Sequence, residues 1–144
     1  MKIALGADHG GYSLKDKIKD YLHNKGYVIL DMGTNSSDSV DYPEYGHKVG
    51  YAVVDKEADF GILICGSGIG ISIAANKIVG VRAALCTNTT MARLAREHND
   101  ANILALGERI IGEVLAFDIV DAFLESKFQD SRHQKRIAKI EVER

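Results

Sequence analysis

The chain has 144 residues, 46% hydrophobic and 26% charged, with a net charge of −2 and a pI near 6.2. That predicts one domain spanning residues 1–144 with a real core, and it gives no basic surplus for nucleic acid or an anionic membrane. No apolar run approaches the roughly 20 residues of a membrane span, and the opening Lys2-Ile3-Ala4-Leu5 is too short an apolar run for a signal peptide.

Apolar and amphipathic segments alternate along the chain, the pattern of a parallel sheet with crossover helices. Residues 3–7 read as the first strand. Gly10-Gly11 break it, and Ser13 is placed to cap a helix to residue 24, with Leu14, Ile18, Tyr21 and Leu22 on one face and Gly26 as its stop. A second strand at 28–32 leads into a polar loop, 33–41. Tyr42-Pro43 then open a helix to about residue 57, with Pro43 near the first turn. A third strand, 60–65, and a helix at 69–77 follow. The fourth strand is expected at 81–86, with Thr87-Asn88-Thr89 capping a helix to about 97. The fifth strand falls at 102–106, a long helix at 108–124, and a very charged helix at 131–142. The strands carry Ile, Val and Leu almost without polar interruption, as strands buried on both faces do.

In open sheets of this kind, ligands bind outside the carboxyl ends of the strands. Asp8 and His9 follow the first strand, Cys65 to Gly70 the third, Thr87 the fourth and Gly107 to Arg109 the fifth. His98 and Asn99, at the end of the fourth helix, are expected near the same rim. The stretch Cys65-Gly66-Ser67-Gly68-Ile69-Gly70 carries the most chemistry. A buried strand ends in a thiol, and a glycine-rich turn then opens a helix, whose free N–H groups can hold an anion and favour a thiolate. The third glycine comes one residue early for a GxGxxG fingerprint, and no Walker-type Gly-Lys-Ser/Thr follows, so a nucleotide site has little support. Cys86 lacks such a turn and reads as structural. Two unpaired thiols predict a reducing cytoplasm, and without CxxC or HExxH no metal site is expected. His98 is the histidine best suited to proton transfer beside Cys65, and Arg132 and Arg136, four residues apart, put two guanidinium forks on one helix face, suited to a phosphate. His23 and His47 lie on helices and are expected to be exposed.

Together Gly6-Ala7-Asp8-His9-Gly10-Gly11, Asp41-Tyr42-Pro43, Cys65-Gly66-Ser67-Gly68-Ile69-Gly70, Ala74-Ala75-Asn76-Lys77, Arg96-Glu97-His98-Asn99, Gly107-Glu108-Arg109 and Arg132-His133-Gln134 closely resemble the type B ribose-5-phosphate isomerases and their galactose-6-phosphate isomerase relatives. The resemblance covers essentially the whole chain. It implies a Rossmann-like three-layer α/β sandwich with a five-stranded parallel sheet and an extended C-terminal helix. It also implies an aldose–ketose isomerase without metal or cofactor, working as a homodimer or dimer of dimers with sites at the subunit interface. Carried over by residue, Cys65 is the base between C1 and C2, Ser67 bonds near it, and the N–H groups of Gly66, Gly68, Ile69 and Gly70 hold the enediolate. Asp8, His9 and Asn99 contact the substrate, and His98 opens the furanose ring. Arg109, Arg132 and Arg136 bind the ligand, the last two chiefly at its phosphate.

One branch of the family replaces the cysteine by glycine and uses a glutamate one residue past the turn; here that place is Ile71, so the chain falls in the cysteine branch. The galactose-6-phosphate enzymes divide their catalytic residues between two different subunits, whereas this chain keeps Cys65, His98, Arg132 and Arg136 together, which favours ribose 5-phosphate. Ser67 stands where many relatives carry threonine and keeps the hydroxyl. The alternatives are a six-carbon aldose phosphate such as allose 6-phosphate and a non-catalytic nucleotide-binding module.

Overall fold

The computed structural model describes residues 1–143. Five parallel strands, β1 (Lys2–Ala7), β2 (Val28–Asp31), β3 (Phe60–Cys65), β4 (Ala83–Leu85) and β5 (Ile103–Gly107), form one sheet in the order β2-β1-β3-β5-β4. The helices are α1 (Tyr12–Asn24), α2 (Tyr42–Val54), α3 (Ile69–Asn76), α4 (Thr89–Asn99), α5 (Glu113–Glu125) and α6 (Asp130–Ile137). The expected α/β sandwich is therefore present, with a C-terminal helix. Among the described residues no helix is long and apolar enough to cross a membrane.

Strand side chains alternate between two cores, as the pleat requires. Ile3, Leu5, Ile62 and Ile64 pack with Leu14, Ile18, Ala92 and Phe123 on one face. Ala4, Leu63 and Cys65 pack with Val49, Ile71 and Ala75 on the other. The chain leaves β1 for β2 on one side and later returns to place β3 on the other side. That reversal opens a crevice beyond the carboxyl ends of β1 and β3, where Asp8 and Cys65 stand.

Several boundaries differ from the sequence reading. Ser13 does not cap α1: the N-cap is Gly11, and the Leu14 N–H is satisfied by the Glu108 carboxylate, 2.6 Å away. The Schellman pair at Gly26 and Tyr27 ends α1 as expected, their N–H groups bonding His23 O at 3.0 Å and Leu22 O at 3.1 Å. The same motif ends α2 at Val54, three residues early, with Lys56 in the left-handed region at φ 64°. β4 is shorter than expected because the Val81 N–H closes a turn on Ile78 O and the Arg82 N–H goes to the Asn102 side chain. α4 does begin after a cap, the Asn88 side chain accepting from Met91 N–H at 2.8 Å. α5 starts at Glu113 rather than 108, because Glu108 and Arg109 bond the turn after β3 instead. The final helix is two turns long, from Asp130 to Ile137, and ends before residue 142.

Candidate active site

Cys65 ends β3 buried, 6% exposed, and its Sγ accepts a hydrogen bond from the Gly68 N–H at 3.1 Å. That geometry requires the chain to double back within three residues. Gly68 does so at φ 78°, and a Cβ there would lie 2.8 Å from the Leu106 carbonyl carbon. The next N–H, of Ile69, goes to Ser67 Oγ at 3.1 Å. Two donors of the turn are thus already directed at Cys65 Sγ and Ser67 Oγ. The turn is clasped from β5, Glu108 N–H bonding Cys65 O and Arg109 N–H bonding Gly66 O, each at 3.0 Å.

Around the thiol lies a cleft of about 500 Å³ walled by Asp8, Tyr42, Cys65, Gly66, Ser67, Ile69, Gly70, Arg109 and Ile110. The Arg109 side chain lies across Gly66, whose missing Cβ would sit 3.4 Å from the guanidinium carbon. Asp8 is buried and accepts the Gly10 N–H at 2.9 Å, which closes the β1–α1 turn beside Gly66. His9 is half-buried and does not line the cleft; its Nδ1 accepts from the Val40 N–H at 3.2 Å. Gly68 is likewise packed behind the wall.

His98 and Asn99 are not at this rim. A crossover helix runs back along the strands, so the last turn of α4 reaches the amino ends. Asn99 O there accepts from Arg82 Nε, just before β4, at 3.2 Å. His98, Asn99, His133, Arg136, Ile137 and Ile140 line a separate cleft of about 310 Å³. The expectation that His98 and Cys65 share an edge of one chain is therefore corrected by the topology. His98 stacks on His133 with ring centroids 4.4 Å apart. His133 is buried (6% exposed), and burial, His98 and the flanking Arg132 and Arg136 together hold its imidazole below the usual histidine value. Arg136 lines the His98 cleft, whereas Arg132, four residues before it on α6, is exposed outside that lining.

Two wall residues, Tyr42 and Ile110, were not among the expected site residues, and Glu108, expected only as part of the rim, had no role assigned. Tyr42 walls the Cys65 cleft, its ring occupying the space of a Cβ on Gly70, 2.7 Å from the nearest ring carbon. Ile110 forms part of the same wall. Glu108 ties the β5–α5 loop to α1 through its carboxylate. Tyr42 had a signal in the Asp41-Tyr42-Pro43 triplet and Glu108 in the Gly107-Glu108-Arg109 stretch expected at the rim, whereas Ile110 had none. Cys86 is 1% exposed, and burial pushes its thiol up to about 11, as befits a structural cysteine. His23 is exposed as expected, but His47 is half-buried. Among the described residues no cluster of three or more His, Cys, Asp or Glu forms a metal site. The larger clefts, beside β2 and along β4, contain no thiol.

Residues 3–140 match the family model described as Ribose/Galactose Isomerase. The chain is similar to ribose-5-phosphate isomerase B of Escherichia coli (strain K12), 50% identical over 139 residues that cover 96% of this chain and 93% of the relative. Its backbone is similar to that of ribose-5-phosphate isomerase B from Clostridium thermocellum, with a TM-score of 0.97 and 60% identity over 97% of this chain and 95% of that one. The ribose 5-phosphate isomerase of Thermotoga maritima is similar too, with a TM-score of 0.95 and 56% identity over 96% of each chain. Likeness of this extent, in residues and in backbone alike, places the chain in the ribose/galactose isomerase family.

Proposed function

We propose that the chain is an aldose–ketose isomerase, one domain over residues 1–144, that interconverts D-ribose 5-phosphate and D-ribulose 5-phosphate in the cytoplasm. The observation that carries the reading is Cys65 Sγ, held by the Gly68 N–H at the switch point of the sheet and facing a cleft large enough for a small sugar phosphate. Proton transfer beside a carbonyl needs a base and a fixed donor for the oxyanion that forms. Cys65 as thiolate takes the proton from C2 of the open-chain aldose. The electron pair moves to give a cis-enediolate, steadied by the N–H groups of the turn that opens α3. Cys65 then returns the proton to C1, while the O2 proton passes to O1, leaving the ketose. Ser67 borders the reacting carbons, and Asp8 and Arg109 hold the sugar oxygens. No metal or cofactor enters this sequence.

His98, read as opening the ring, and Arg136, read as binding phosphate, line the second cleft, with Arg132 exposed on the same helix, so the complete site takes that face from another copy, in a homodimer or dimer of dimers. Ile69 and Ile110, exposed on the wall of the Cys65 cleft, and Ile73, one helical turn from Ile69, supply apolar surface for such a copy to cover. The test is ketose formation from ribose 5-phosphate by the purified protein, with EDTA present and Cys65→Ala beside it. Turnover that survives EDTA and is lost in the variant, by about 100-fold or more, is expected. Full activity in Cys65→Ala would remove the thiol base, and absence of turnover on the pentose phosphate in favour of a six-carbon phosphate would replace the substrate.

A further inference from the structure

We propose that the segment 33–41 fixes His9 as the neutral imidazole with its proton on Nε2, which makes His9 a standing hydrogen-bond donor to a ligand oxygen and not a base. The inference rests on the reading, implied by the family resemblance, that His9 contacts the sugar phosphate from outside the lining of the Cys65 cleft, and it specifies the chemistry of that contact.

The Val40 N–H points at His9 Nδ1 from 3.2 Å. A backbone amide has only a proton to give, so Nδ1 presents its lone pair and the single proton of the neutral ring sits on Nε2. Moving the proton to Nδ1, or adding a second one there, would set two N–H groups against each other and break the bond.

The segment that carries Val40 is itself tied down close to His9. Gly33 O accepts from Ala7 N–H and Ala7 O from Thr34 N–H, both at 2.8 Å, so the loop begins paired to the residue two before His9. Beneath it lies Lys15, fully buried on α1. Its ammonium donates to Asp31 Oδ1 at 2.8 Å, Asn35 Oδ1 at 2.9 Å and Asp16 Oδ1 at 3.1 Å. Asp31 also accepts the Gly33 N–H at 2.9 Å. A buried lysine is tolerated only with such partners, and here they join α1, β2 and the loop, enclosing the turn that bears His9. Burial raises the Asp31 carboxyl, but Lys15, the Gly33 N–H and Lys19 outweigh it and hold it below its usual value. The far end of the segment is Asp41, the N-cap of α2, followed by Tyr42 in the wall of the cleft. One loop, anchored at its start through Asn35 and Asp31 to Lys15, thus carries the amide that faces His9 and leads directly into Tyr42.

The decisive measurement is the ring 15N spectrum of His9 in the ligand-free protein near neutral pH, assigned by loss of the signals in His9→Gln. The expected result is an unprotonated Nδ1 and a protonated Nε2 in one dominant tautomer, retained in Val40→Ala, which keeps the amide, and scrambled in Val40→Pro, which deletes it. A proton on Nδ1 in the wild type, or an imidazolium at that pH, overturns the inference whether or not the proline variant folds. In kinetics, His9→Gln, whose amide N–H₂ stands in for Nε2–H, is expected to keep KM within a few fold of wild type, while His9→Ala raises it at least tenfold. Equal KM values in the two variants would overturn the donor role. A protein that shows the tautomer but does not turn over ribose 5-phosphate would instead refute the isomerase reading, so the two failures are separable.

Discussion

Replacing Gly68 by alanine tests the geometry of the thiol turn most directly. Gly68 adopts φ 78°, in the left-handed region, where a Cβ costs roughly 1–2 kcal/mol. The added carbon would also stand 2.5 Å from Leu85 Cδ1 and 2.8 and 2.9 Å from the carbonyl carbon and oxygen of Leu106. Leu85 can swing its tip away, but the Leu106 carbonyl lies in the central sheet, so the turn must move, and overpacking of this kind costs about 1–3 kcal/mol. The sum is a loss of about 2–5 kcal/mol, or a fall in Tm of about 5–15 °C for a domain of this size. The moving turn carries the N–H that holds Cys65 Sγ, so turnover should fall even where the variant is fully folded. The assay is urea unfolding at matched protomer concentration, because assembly adds to apparent stability. Gly112→Ala serves as the control: Gly112 has φ −83°, and nothing lies within 4 Å of an added Cβ. If Gly68→Ala unfolds within about 0.5 kcal/mol of that control, a surface-like effect, the account of the turn is wrong.

A site divided between two copies predicts complementation. Cys65→Ala and His98→Ala, each inactive alone, should regain turnover when unfolded and refolded together, and continued inactivity of the mixture would show that one chain supplies both groups. Cys86 predicts an alkaline weakness. Its folded thiol resists ionisation until about pH 11, whereas the unfolded thiol ionises from about pH 8.5. Between those values the unfolded chain binds fewer protons, so stability falls as pH rises, with a slope below about 1.4 kcal/mol per pH unit. Urea unfolding of wild type and Cys86→Ala at about pH 8 and about pH 10.5 should give a shallower loss in the variant, and parallel losses would rule out this thiol as the source.

What the sequence disclosed and what it hid have physical reasons. The turn after β3 was legible because a run of buried residues and three glycines in five positions speak locally. The same holds for the Gly26 stop and for Cys86 as a core thiol. The start of α5 was not legible, because Glu108 and Arg109 are helix formers drawn off by bonds to Cys65 and Gly66, more than forty positions away. His98 was misplaced for a simpler reason. It was grouped with the strand ends by its chemistry, although a helix returning from β4 has to finish at the opposite end of the sheet. The cap of α1 was hidden completely, since Ser13 is a plausible local candidate and the true acceptor lies 94 residues further on.

That last bond bears on how the chain matures during synthesis. When α1 leaves the ribosome, its first turn has no side-chain acceptor of its own, and none arrives until residue 108 has been made and β5 has slotted between β3 and β4. Until then the turn bearing Asp8 and His9 sits on a fraying helix end. A nascent chain stopped just after β3 lacks Gly68, Glu108 and Arg109, so the bonds that hold the thiol turn are missing along with the acceptor for α1. The residues just after β5 thus serve both turns of that edge at once, the Glu108 carboxylate holding the start of α1 while the N–H groups of Glu108 and Arg109 hold the turn after β3.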